Sequence, residues 1–301
     1  MLVAFFVFII MFVLYIHIQA QYKKGEDLEV YEMDYTSKDQ LQNVCDMKQP
    51  VLFGLPILEG VIKVNTDVEL PVWDIREYYV KDSVDPIYLS YSSFINLAKS
   101  DPKGHFFTRK NRDSLDLEKE VFDDFLRPPL TVHSDYELLV GSSGASTPLQ
   151  YHMDDRLFLF VKSGKISVKM THWHSRRYLS PVNDYENYEF YSKMNLSLLG
   201  QHKEIQGQQC KWLDFEVIEG YVLSIPPWWW YSIKFSSVDT EVVGIRYVTV
   251  GNMIAHIPDW TRYYMHLHMT QKIAITPLQI EPLDNGPIVE EYDTELMKPS
   301  I

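Results

Sequence analysis

The sequence predicts a mainly β domain, a sandwich or barrel with flanking helices, carried behind one apolar N-terminal helix. Three observations lead there. Residues Met1–Ala20 contain no charged side chain. From Leu130 to Val250, short apolar or alternating runs recur between turn residues, the pattern of packed antiparallel strands. The strand-helix alternation that builds parallel sheets is missing from that region.

The first element is the apolar one. At about 1.5 Å per helical residue, ~20 residues cross a hydrocarbon core of ~30 Å. A cleaved signal peptide opens with a basic region, and here only the terminal amine is basic. The expectation is therefore an uncleaved single-pass anchor over residues 1–20. A signal peptide cut near Ile18-Gln19-Ala20 is the alternative, and a buried core helix the third reading. His17 and Gln19 sit at the edge of the segment, where polar groups reach the interface. Lys23 and Lys24 follow at once, so the positive-inside rule puts the domain in the cytosol. The scarcity of cysteine agrees. The triplet Asn195-Leu196-Ser197 is a glycosylation sequon and points the other way, toward the secretory pathway or a virion membrane.

Residues 21–35 are polar and acidic and read as a tether, with the folded domain over 36–275. Ser37-Lys38-Asp39-Gln40 has capping-box form and opens a helix over Asp39–Met47. Pro50 to Pro56 encloses a buried strand. Helices are expected over Tyr91–Ser100 and Leu115–Leu126, the second stopped by Pro128 and Pro129. Strands follow at Tyr136–Val140, Arg156–Val161, Lys165–Met170, Phe215–Ile225 and Thr240–Val250, with tight turns at Gly141–Gly144 and Ser163-Gly164. Trp260–Lys272 has helical spacing. Residues 276–301 form an acidic, proline-bearing tail expected to stay disordered.

Composition excludes some functions. With 41 acidic and 28 basic residues the formal charge is −13, which rules out a nucleic-acid binder. Hydrophobic residues at 46% rule out disorder for most of the chain. A length of 301 residues suggests two domains, but one β barrel commonly takes roughly 200–250 residues. Cys45 and Cys210 are too few for a disulfide framework and lack metal-ligand spacing.

Two segments carry a motif. The first runs from Leu138 through Gly141-Ser-Ser-Gly144 and Thr147-Pro148-Leu149-Gln150-Tyr151-His152 to Arg156 and Lys165. The second is Glu219-Gly220-Tyr221-Val222-Leu223-Ser224-Ile225-Pro226-Pro227-Trp228-Trp229-Trp230-Tyr231. Together they resemble the cupin-like, Jumonji-C-related 2-oxoglutarate oxygenases over roughly residues 35 to 270. The resemblance implies a double-stranded β-helix, a jelly-roll barrel. It also implies Fe(II) held by two His and one carboxylate, with open positions for 2-oxoglutarate and oxygen.

Against that motif the ligands are altered. Without a gap, Gln150 falls where the first His belongs, His152 at the carboxylate position and Tyr231 at the last His. Trp228 stands where the family has a glycine. A register shifted by two residues makes His152-Met153-Asp154 an H-x-D pair, with Tyr231 as a third ligand. A plain pairing of His152 with Asp154 is the bland alternative. Thr147 and Lys165 fall at the family's contacts to the distal carboxylate of 2-oxoglutarate; a Lys165 simply solvated beside its turn is the counter-reading.

Other features are weaker. His172 and His174 are two residues apart beside Arg176 and Arg177, a composition that suits a solvated loop. His266 and His268 lie in a helical stretch where such spacing does not share a face. Trp228, Trp229 and Trp230 are expected to fill the core, or to block a substrate mouth. The expectation is thus a membrane-anchored, non-catalytic binding or structural module, with a protein partner or a second copy as its contact and no cofactor. An active Fe(II)/2-oxoglutarate hydroxylase or demethylase using His152, Asp154 and Tyr231 is the rival. A structural viral or organellar membrane protein that borrowed the fold is a third.

Overall fold

A computed structural model describes residues 2–196 and 209–269. The expected tail, the end of the helix beyond Met269 and Ser197 of the sequon lie outside these residues. Helix α1, Leu2–Gln21, is apolar over nearly its whole length, with a mean hydropathy of 2.4 across Val3–Gln21 and no buried residue in that window. It is long and apolar enough to cross a membrane, a property that a signal sequence shares.

Residues 21–35 are not a loose tether. Tyr22 donates its hydroxyl to the Ala255 carbonyl at 2.5 Å. Gly25 lies so close to the Lys48 carbonyl oxygen that a Cβ there would sit 1.9 Å from it. Strand β1, Tyr31–Glu32, pairs in parallel with β2, Val51–Gly54, and forms the edge of the larger sheet.

The remaining strands follow in chain order: β3 Ile62–Val64, β4 Glu69–Asp74, β5 Ile87–Ser90, β6 Phe106–Thr108, β7 Leu115–Leu117 and β8 Thr131–Gly141. Next come β9 Gln150–Tyr151, β10 Arg156–Ser163, β11 Lys165–Thr171, β12 Pro181–Asp184 and β13 Glu189–Ser192. The last are β14 Leu213–Ile218, β15 Tyr221–Ile225, β16 Trp230–Phe235 and β17 Glu241–Thr249. One sheet has the order β1-β2-β15-β10-β17-β8-β6-β4-β5 and the other β12-β13-β9-β16-β11-β14, while β3 and β7 pair separately.

The two sheets face each other. Leu157, Leu159 and Val161 of β10 share one apolar core with Ile166, Val168 and Met170 of β11 and with Tyr231, Ile233 and Phe235 of β16. The alternate residues Phe158 and Phe160 point to the outer side. There they meet α2, Lys38–Cys45, through Leu41 and Cys45, and a later helix through Phe122 and Leu126.

The turn at Gly164 carries the chain from one sheet to the other. Strands β10 and β11 do not pair: β10 pairs with β15 and β17, and β11 with β14 and β16. Gly220 repeats the crossing between β14 and β15. The two corners lie together, with Glu219 N–H donating to Gly164 O at 3.1 Å and Gly220 N–H to Val161 O at 2.9 Å. Both glycines have left-handed backbones, φ 75° and 80°. A two-stranded ribbon thus bends over the sandwich edge, and the run Phe215–Ile225 is two strands, not one.

Helices fill the margins. Ser37 caps α2, accepting from the Gln40 N–H at 3.2 Å. The short α3, Ile75–Tyr78, follows β4; α4 spans Tyr91–Ser100, capped by Ser90. The expected helix Leu115–Leu126 begins later, as α5, Lys119–Leu126. Its first three residues pair with β3, because Leu-Asp-Leu alternates as a strand does. After β17 come α6, Val250–Ala255, and α7, Ile257–Met269, with α6 packed against α1.

Candidate functional site

Charged and polar side chains occupy inward positions at one level of the sandwich. Leu139 and Gly141 of β8 face inward, so by period two does Glu137. Phe107 places Arg109 inward beyond β6, Val242 places Arg246 inward on β17, and Tyr191 places Glu189 inward on β13. Gln150 pairs directly with Tyr231 and with Tyr191, which puts it on that face too. The layer therefore draws on both sheets.

Its hydrogen bonds form one connected set. Arg109 is 2% exposed and donates to the Gln150 side-chain carbonyl, to the Tyr78 hydroxyl at 2.6 Å and to Glu189 Oε2 at 2.6 Å. Its guanidinium lies 5.4 Å from the Trp73 ring centroid. Glu189 also meets Lys110 Nζ at 2.5 Å. Arg246 donates to Glu137 Oε1 at 2.6 Å, and Glu137 Oε2 accepts the Lys110 backbone N–H at 2.9 Å. Gly244, opposite Glu137, leaves room for that carboxylate: a Cβ there would lie 2.9 Å from its Cγ.

The charges compensate one another. Burial works against ionisation of Glu189, but Arg109 and Lys110 hold it below the usual carboxylate range. Arg246, then Arg109, do the same for Glu137 against its burial. Burial pushes the Tyr231 phenol up to about 12 and His152 down to about 3, with the Arg246 charge adding to the latter. Both are neutral at pH 7.

The structure brings Gln150, His152 and Tyr231 together. Gln150 Nε2 donates to the Tyr231 hydroxyl at 3.2 Å, and the His152 and Tyr231 ring centroids are 6.2 Å apart. His152 Nε2 lies 3.0 Å from the Ile225 carbonyl oxygen. A carbonyl only accepts, so Nε2 carries the proton and Nδ1 is bare; Nδ1 is buried and makes no hydrogen bond among the described residues. The alternative pairing of the His152 and Asp154 side chains is not formed; His152 bonds the Ile225 carbonyl instead. Asp154 lies beyond the end of β9, half-buried, where burial raises its pKa against the pull of Arg246.

Thr147 and Lys165 are corrected. Lys165 stands outside the layer, its ammonium on Glu216 at 2.9 and 3.0 Å. Ile166, Val168 and Met170 take the inward places on β11, so the lysine beside the turn faces water. Thr147 is buried, but its hydroxyl accepts the Ile233 N–H at 3.0 Å and ties the segment before β9 to β16.

The donor set does not fit Fe(II) as a facial triad. Gln150 offers an amide whose oxygen already accepts from a guanidinium, a fixed cation where a second cation would need a ligand. Tyr231 is a neutral phenol that accepts from Gln150. His152 supplies one bare nitrogen. Among the described residues, no group of three His, Cys, Asp or Glu side chains converges as a metal would require.

Arg109, Glu137, Glu189 and Arg246 were not among the residues singled out from sequence. A signal existed for two of them: Glu137 is the one charge in the run Tyr136–Gly141 of β8, and Arg246 interrupts the apolar run of β17. The three tryptophans divide between two cores. Trp229 lies between the sheets and donates to the Lys48 carbonyl at 3.1 Å, whereas Trp228 and Trp230 pack outside with Tyr151 and Trp173. Compared with known proteins, the chain matches no family model and no curated sequence.

Proposed function

We propose that this chain is a membrane-anchored, cupin-like protein whose barrel is a double-stranded β-helix of the Jumonji-C-related kind, kept as a non-catalytic binding or structural module. The ribbon that bends at Gly164 and Gly220, with the two sheets it joins, supports the fold reading. The observation that carries the functional reading is Gln150. At the family's first ligand position it is spent on Arg109 and Tyr231, so both ends of its amide are already bonded within the protein. A binding partner then meets the outside of the barrel, and α1 holds it at a bilayer.

The test is reconstitution of the full-length chain with Fe(II) and 2-oxoglutarate under anaerobic conditions, then desalting and exposure to oxygen. The reading predicts iron far below one equivalent and succinate no faster than in a blank. Stoichiometric iron, or turnover to succinate, would establish the rival hydroxylase using His152, Asp154 and Tyr231.

A further inference from the structure

Outside the buried layer, cations gather where α1 meets the domain. The 3₁₀ turn Trp173–Tyr178 borders an open cleft of about 470 Å³, lined by Trp173, His174, Arg176, Arg177, Ser180 and Pro181. Lys24 Nζ lies 4.2 Å from the Trp173 ring centroid, and the Arg176 guanidinium carbon 5.0 Å from the same ring. The Arg176 Nε is buried and makes no hydrogen bond among the described residues. Nor does Nδ1 of His172, whose ring is 5.5 Å from that of His174. Among the described residues, Lys24, Arg176 and Arg177 form no ion pair; the carboxylate that reaches the cluster, Glu26, lies 3.5 Å from His174 and is largely exposed.

Cations left together in a chain of net charge −13 mark a place for an anion. Burial and the neighbouring Arg176 charge hold the Lys24 ammonium below its ordinary value, and an anion would relieve the second of these. Position names the anion. Lys24 follows the last residue of α1, Gln21, by three residues, at most roughly 11 Å of chain. That reach ends in or just beyond the headgroup layer of a bilayer. The segment is held there by the Tyr22–Ala255 bond and the packing of Gly25 on Lys48.

We propose that the Trp173 cleft binds the phosphate of an anionic lipid headgroup, with Arg176, Arg177 and Lys24 as its cations. The proposal rests on α1 being a membrane anchor. Lipids of the leaflet on the domain side would then fix the tilt of the barrel, which an acidic surface alone could not do.

Tryptophan fluorescence of the full-length chain in neutral detergent, titrated with dioctanoyl phosphatidic acid, dioctanoyl phosphatidylcholine and inorganic phosphate, tests this. Phosphatidic acid should bind saturably and roughly tenfold or more tighter than phosphatidylcholine. R176Q/R177Q should abolish that preference at unchanged melting temperature, and K24Q, on a separate segment, should weaken it. Equal binding of the two lipids, or a preference that survives R176Q/R177Q, overturns the proposal. Inorganic phosphate binding as tightly as phosphatidic acid overturns the lipid assignment in favour of a soluble ligand. Alkaline carbonate extraction of membranes separates the two premises. A chain that stays in the membrane yet shows no preference refutes the headgroup site alone; a chain that is released refutes the anchor, and the proposal with it.

Discussion

Gln150 and Tyr231 stand opposite each other on β9 and β16, and the Gln150 amide donates to the Tyr231 hydroxyl at 3.2 Å. The other end of the same side chain accepts from Arg109. Both ends of the glutamine are therefore used inside the protein. Tyr231→Phe removes the acceptor and leaves a buried amide hydrogen unpaired. It should cost about 1–3 kcal/mol in denaturant unfolding, and a change within a few tenths would mean that the bond carries no structural weight.

Arg109 is the hub of the layer, since three partners share its guanidinium. Arg109→Met leaves the buried Glu189 with Lys110 as its remaining cation, beside the Tyr78 hydroxyl that donates to it at 3.2 Å. A broken buried pair of this kind costs about 3–5 kcal/mol. Glu189→Gln should cost less in the Arg109→Met background than alone, because the penalty lies in the unmatched charge. Additive losses in that double-mutant cycle would show that the two residues act separately.

His152 gives the fold a pH dependence of known sign. Burial lowers its pKa from 6.5 to about 3, so the native imidazole stays neutral while the unfolded one protonates near 6.5. Between these values the unfolded state binds more protons, and stability falls as pH falls. From pH 6.5 to about 5 the loss should reach about 2 kcal/mol. Glu137 and Glu189, held below their ordinary values, contribute stability that is lost only as pH falls below about 4.3. Unfolding of His152→Asn over this window should show a flattened slope; an unchanged slope would place the titration elsewhere.

Trp228 holds a left-handed backbone, φ 70°, a conformation that favours glycine. Its ring offsets that strain by packing on Tyr151, Trp173 and His256. Trp228→Gly releases about 1–2 kcal/mol of strain and loses about 3–5 kcal/mol of packing. A net destabilisation of about 2 kcal/mol is expected from thermal unfolding. A stabilised variant would show that the ring contributes little.

Much of the fold was legible because its cause is local. Apolar runs gave β2, β8, β10, β11, the run that holds β14 and β15, and β17, while short strands such as β4, β6, β13 and β16 went unread. Ser37 caps the expected α2, and the uncharged first turns gave α1. The pairing was not legible: β10 and β11 read as a simple strand-turn-strand unit, and only the glycine corners show that they belong to different sheets. In the site, the family resemblance alone groups Gln150, His152 and Tyr231; the pairing of β9 with β16 sets Gln150 opposite Tyr231, and His152 follows the end of β9. Lys165 could not be placed, since one residue of turn geometry decides which face a strand-end side chain takes. Arg109 and Glu189 come from segments 80 residues apart and meet only through the closed sandwich. The contacts of Gly25 with Lys48 and of Tyr22 with Ala255 were not legible for the same reason: they are long-range.

Gln150 is occupied by Arg109 and Tyr231 and leaves no metal ligand at its position. The most direct test is an experimental structure of the protein with excess Mn(II) and 2-oxoglutarate, examined for anomalous scattering. The expected result is Arg109 on Gln150 and no peak within bonding distance of Gln150, His152 or Tyr231. A peak with His152, Asp154 and Tyr231 drawn to about 2.0–2.2 Å of one point would contradict it.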